Sequence, residues 1–229
     1  MNKHIETNKM AFFRPSYQLL GVPRKQGESE QRPQYLGDLN HPDNTSQWVP
    51  AHRNTNVWVR GFSSSVPCRD FLNALQNIGK VRALVVHPAD KEHESAAASI
   101  SFFRRDAAVL LINLINTGII TVHGNTLSAI WNRNRVAETD EGWNSRVLLI
   151  AGNVEVVNPT YLERFFRSKF VYDIDRVIDH GVVPGPGGPI ARLEYRFACW
   201  RGQAVLAKIA LQREHGGQLL VDYGMDPCA

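Results

Sequence analysis

The chain has 229 residues, 43% of them hydrophobic, and a formal charge of +4 from 26 Lys+Arg against 22 Asp+Glu. That composition excludes a wholly disordered chain and leaves room for one large domain or two small ones, with a mild positive excess compatible with a nucleic-acid partner. Cys68, Cys199 and Cys228 are odd in number and far apart, which excludes a disulfide framework and a zinc ligand spacing and favours a reducing compartment. The longest apolar run, Ala107 to Ile112, is far shorter than the roughly 20 residues a membrane helix needs. The N-terminus lacks the apolar stretch of a secretory signal, so an intracellular protein is expected, with nucleus and cytoplasm not distinguished.

Residues 1–54 are punctuated by Pro15, Pro23, Pro33, Pro42 and Pro50 and show no sustained apolar period. They read as a disordered arm. Val57-Trp58-Val59-Arg60-Gly61-Phe62 alternates and is β-branched or aromatic, the pattern of a strand. Phe71, Ala74, Leu75 and Ile78 follow at helical spacing between Pro67 and Gly79, which predicts a helix across that span. Strands are expected at 81–86 and 96–103. Arg105 to Asn116 is a second helix, and a hairpin turning at His123-Gly124-Asn125 leads into a last strand ending at Trp131.

After a polar linker over 136–145 the order recurs. A strand is expected at 147–151 and a helix opened by Pro159, with Tyr161, Leu162, Phe165 and Phe166 as its apolar positions. Strands follow at 170–178 and 190–197, joined by a mobile Val183–Pro189 loop. A helix over 203–213 and a closing strand at 219–223 complete the set. Arg105-Asp106-Ala107-Ala108-Val109-Leu110 matches Arg201-Gly202-Gln203-Ala204-Val205-Leu206 at four of six positions, which supports an internal duplication. The expected organisation is an arm (1–54), a first βαββαβ unit (55–135), a linker (136–145), a degenerate second unit (146–224) and a tail (225–229). One core should gather Val57, Val59, Phe71, Leu75, Ile100, Phe102 and Leu111. The other should gather Phe165, Tyr195, Phe197, Val205 and Ile209.

Two βαββαβ units in a row resemble a tandem pair of RNA recognition motif (RRM) domains. The family's hexamer is matched by Val57-Trp58-Val59-Arg60-Gly61-Phe62. Its octamer falls on residues 95–102 and again on 190–197, and the second hexamer on 148–153. The whole chain also resembles RNA-recognition-motif proteins of filamentous fungi. The resemblance implies an α+β fold: two ferredoxin-like domains, each a four-stranded antiparallel sheet backed by two helices. It also implies a non-enzymatic RNA-binding protein with no cofactor and no metal.

The match departs from the family where binding is concerned. Such sheets stack bases on outward aromatics, each worth about 1–3 kcal/mol. The six corresponding positions are Trp58, Ala97, Ser99, Leu149, Arg192 and Glu194, and only Trp58 is aromatic. The reading is therefore single-stranded RNA held mainly by the first unit. Trp58 stacks a base, left open by the small Ala97 and Ser99. Arg60, Arg133 and Arg135 meet phosphates, and Arg192 adds a weaker contact offset by Glu194. Charge agrees: residues 55–135 carry 9 Lys+Arg against 5 Asp+Glu, and residues 146–229 carry 10 against 9. The alternative is a protein-interaction module of the same fold that has lost RNA binding, with Trp58 covered by the arm or the linker. No membrane partner is expected.

Enzymatic signals are poor. No HExxH motif is present, and Gly185-Pro186-Gly187-Gly188-Pro189 lacks both the backbone donors and the Lys of a phosphate loop. Cys68 has no histidine near it in sequence.

Overall fold

The computed structural model describes residues 49–91 and 93–229. Residues 1–48 of the arm expected over 1–54 lie outside them.

In the first unit, strands β1 (Asn56–Phe62), β2 (Val81–His87), β3 (Ala96–Phe102) and β6 (Ser128–Trp131) form one antiparallel sheet in the order β2-β3-β1-β6. A small hairpin, β4 (Thr121–Val122) and β5 (Asn125–Thr126), precedes β6. Its turn places His123 and Gly124 at positive φ, a backbone that Gly and a few polar residues tolerate. Helices α1 (Cys68–Asn73) and α2 (Arg105–Asn116) cover one face. Val57, Val59, Phe71, Leu75, Ile100, Phe102 and Leu111 share the buried core between sheet and helices, as their spacing requires.

The second unit repeats the plan. Its sheet has the order β10-β7-β9-β8, from β7 (Val147–Asn153), β8 (Ile174–Gly185), β9 (Gly188–Phe197) and β10 (Leu219–Tyr223). Helices α3 (Pro159–Arg167) and α4 (Val205–Glu214) back it, the latter entered through a π-turn at Trp200–Ala204. Pro159 at the first helical position and the Asn158 side chain, which accepts from Tyr161 N at 2.8 Å, start α3. Both halves are thus α+β with a four-stranded antiparallel sheet and two helices, the architecture the strand and helix periods imply.

Several local expectations are corrected. The first helix ends at Asn73, not at Gly79. Leu75 and Ile78 are still buried, but the N–H groups of Ile78 and Gly79 turn to the carbonyl of Cys228, so a tertiary acceptor replaces the helical one. The Val183–Pro189 segment is the end of a long hairpin, with Pro184 opposite Pro189 and Pro186-Gly187 as the turn. The core face of α4 is Ala207, Ala210 and Leu211, continued from Ala204 at the end of the π-turn; Val205 and Ile209 are only partly buried. Small residues let that helix lie close to the sheet, and the larger branched ones fall on its flanks.

The arm, linker and tail also differ from expectation. Asn54 is buried: it donates to Asn132 O at 3.1 Å and accepts from Asn56 N and Val136 N, both at 3.0 Å. The order of the first unit therefore starts before residue 55. The 136–145 segment is packed: Val136 O accepts from Thr55 N, Ala137 bridges Asn54, and Ser145 is buried. The segment after β10 is no tail, because Cys228 lies in the core of the first unit.

The two units are fused. Leu84 N donates to Ala198 O at 2.9 Å, and Ala83 bridges Cys199, so the segment leaving β9 caps the edge of β2. Beneath this seam Arg146 is fully buried. Its guanidinium donates to Asp175 Oδ2 at 2.9 Å, to Asp226 Oδ1 at 3.1 Å from Nε and to Phe197 O at 3.0 Å. Asp226 also accepts from Val81 N at 2.9 Å. Burial alone would lower the Arg146 pKa, but the surrounding Asp226, Cys228 and Asp175 hold it above its ordinary value.

Candidate nucleic-acid interface

The open face of the first sheet is built by alternation. Val57 and Val59 face the core, so Trp58 and Arg60 face out. Register then lays out two rows across the sheet. Val85, Ser99, Trp58 and Ile130 lie in one; His87, Ala97, Arg60 and Ser128 lie in the next. Gly61 makes the end of β1 possible: its φ is +98°, and a Cβ there would meet Thr126 O at 2.7 Å.

Trp58 is partly exposed, and no described residue closes over it completely. It is not an isolated flat ring either. His87 reaches across Ala97, with ring centroids 5.0 Å apart and planes tilted by 46°. The small residues on β3 thus admit a neighbouring ring. Burial lowers the His87 pKa from its ordinary 6.5, so the imidazole is biased toward the neutral form. Val85 and Ile130 are each about half exposed and flank the pair.

The row beyond Trp58 toward Asn56 is polar and closed. Asn132 Nδ2 donates to Ser99 Oγ at 2.9 Å, Ser99 Oγ donates to Asn56 Oδ1 at 3.1 Å, and Asn56 Nδ2 donates to Asn134 O at 2.7 Å. This network ties the chain after β6 across the start of β1. Arg133 and Arg135 ride on it and are exposed, with Arg135 Nη1 donating to Val49 O at 2.9 Å. Arg60 is exposed at the opposite side of the Trp58 row. The cations therefore bracket the tryptophan along the strand direction.

Arg192 is not part of this group. It lies on β9, opposite Ala151 of β7, on the open face of the second sheet. Nor does Glu194 offset it: Glu194 accepts from Arg196 Nε at 2.6 Å and pairs with His180 Nε2 at 3.0 Å. Burial alone would push the Glu194 carboxyl pKa up, but those two partners bring it below its ordinary value. Arg192 Nη2 instead donates to His180 O at 3.0 Å.

The hexamer and octamer strands bring Trp58 and Arg60 into view, but His87, Val85 and Ile130 lie on the flanking strands. The outward alternation Val85, His87 in β2 is the signal that would have found the histidine. The thiols are poorly suited to nucleophilic work. Burial pushes Cys68 up to about 11 and Cys228 up to about 12, and raises Cys199 as well.

No protein-family model and no curated protein matches the chain. Among solved structures it is similar to the Sex-lethal protein/RNA complex, at 20% identity over 75% of this chain and 99% of that one, with a TM-score of 0.30. It is also similar to Sex-lethal RNA recognition domains 1 and 2 from Drosophila melanogaster, at 17% identity over 75% of this chain and 100% of that one, TM-score 0.30. A third is the first two RRM domains of the yeast poly(U) binding protein, at 14% identity over 74% and 99%, TM-score 0.31. Its own strand order, register and helix placement make each half a ferredoxin-like βαββαβ unit.

Proposed function

We propose that the chain binds single-stranded RNA, without catalysing a reaction, on the open face of its first sheet. The observation that carries this reading is the partly exposed Trp58–His87 ring pair, flanked by the half-exposed Val85 and Ile130, with Arg60 on one side of the tryptophan and Arg133 and Arg135 on the other. Bases need a flat apolar platform, and phosphates need cations spaced along the strand. One unstacked base rests on Trp58 beside His87, and the backbone runs past the arginines. Binding is modest and weakly sequence-selective, because a single tryptophan replaces the usual set of stacking residues.

The test is binding of the full chain to mixed-sequence single-stranded RNA at two salt concentrations. Trp58→Ala should weaken binding by about 1–3 kcal/mol, roughly ten-fold or more, almost independently of salt. Arg133→Ala or Arg135→Ala should each reduce the slope of log affinity against log salt by somewhat less than one unit. Arg192→Ala should have a smaller effect, since it lies on the other sheet. Wild-type binding no tighter than that of an unrelated protein of equal charge, or a Trp58→Ala variant that binds equally well, would sink the proposal.

A second reading, a protein-interaction role, is favoured by a separate observation: three well-exposed apolar side chains gather on the other sheet.

A further inference from the structure

The open face of the second sheet forms a trough of about 820 Å³. Leu149 and Ala151 of β7 lie on its floor, and Leu220 of β10 and Met225 stand beside them. Leu149, Leu220 and Met225 are 42%, 78% and 88% exposed, an apolar concentration that a sheet face open only to water does not favour. The segment after β10 supplies one wall, and the burial of Asp226 beneath it fixes that wall in place.

The charges around the trough are almost all spent. Glu194 is held by Arg196 and His180, Asp222 by Lys208 at 3.0 Å, and Asp226 by Arg146 at 3.0 Å. Arg192 is left over: its guanidinium touches a backbone carbonyl and, among the described residues, pairs with no carboxylate. The face thus offers apolar area plus one uncommitted cation. The three positions where this fold stacks bases carry Leu149, Arg192 and Glu194, so there is no ring on which a base could rest. A second copy of the chain is also a poor match. Fourteen residues line the trough, against about 20–30 a side in a stable dimer.

We propose that this trough docks a short segment of a partner protein, apolar in composition and bearing one carboxylate that pairs with Arg192. Leu149, Leu220 and Met225 supply the contact area, and Arg192 fixes the register of the segment by its single charge.

The experiment pans a random dodecapeptide phage library against the full chain and measures the enriched peptide by fluorescence anisotropy. The expected consensus has several apolar residues and one Asp or Glu. Leu149→Arg and Leu220→Arg alter exposed positions and should each weaken the peptide about ten-fold or more, with an unchanged circular dichroism spectrum. Arg192→Glu should weaken it similarly, and replacing the peptide's acid with Lys should restore binding to that variant alone. The proposal is overturned by any of these results: no consensus or one without an acid; binding indifferent to these three variants; a dimer that Leu220→Arg dissociates; or single-stranded RNA binding that Leu149→Arg abolishes. Peptide binding that appears only after removal of residues 1–48 would give the trough to the chain's own N-terminal segment and overturn it equally.

Discussion

Replacing Arg146 by Met tests whether the two halves fold as one body. The side chain is fully buried, and its removal strands two carboxylates at once: Asp175 and Asp226, whose side chains are 4% and 0% exposed. It also leaves the Phe197 carbonyl without its donor. Met fills much of the volume, so the loss is electrostatic rather than a cavity. Breaking a buried pair by removing one partner costs about 3–5 kcal/mol, out of a total stability of roughly 5–15 kcal/mol. For a chain of this size the melting temperature should fall by roughly 6–20 °C, at about 2–4 °C per kcal/mol. Asp226 keeps bonds from Val81 N and Cys228 N, so part of the seam survives. The double variant Arg146→Met/Asp175→Leu should therefore be no less stable than the single one, because it removes a stranded charge. Asp175 Oδ1 already lacks a partner in the wild type, so little else is lost. Urea unfolding followed by tryptophan fluorescence and far-ultraviolet circular dichroism reads both halves. The wild type should unfold in one transition seen alike by both probes. Two separate wild-type transitions, or a single variant that loses under about 1 kcal/mol, would refute the reasoning.

Three further outcomes are expected. Trp58→Ala should weaken RNA binding about ten-fold or more while leaving the urea midpoint nearly unchanged, since the ring lies on the open face; a large stability loss would make Trp58 structural instead. Gly61→Ala should cost about 1–3 kcal/mol, read as a lower urea midpoint, from its positive φ and the 2.7 Å approach of a new Cβ to Thr126 O. The His87 pKa is depressed by burial. Its unfolded form therefore takes up a proton first, and its contribution to stability is full above about pH 6.5 and is lost as the pH falls through the folded pKa. His87→Gln should flatten that part of the stability profile between pH 7 and 5, and an unchanged profile would refute the assignment.

Period and punctuation alone determined much of this protein. Alternation in Val57–Phe62 placed Trp58 outward, Pro159 opened its helix, and the turn at His123-Gly124 was legible because few residues tolerate positive φ. The first core was legible too, since Phe71, Leu75 and Leu111 are large and strictly spaced. On α4 the rule of large apolar residues misled, because the buried face there is mostly alanine. The internal match carried the right phase: Ala108 of α2 aligns with Ala204, and both are buried. What only the tertiary structure decided depends on partners distant in sequence. Cys228 reaches the first core across more than a hundred residues, and a single Arg146 gathers Asp175 and Asp226 from two separate strand ends. His87 becomes a neighbour of Trp58 only through the register of three strands. Local periodicity encodes which way a side chain points. It does not encode which distant chain segment arrives there, because that choice is made by burial and hydrogen bonding summed over the whole molecule.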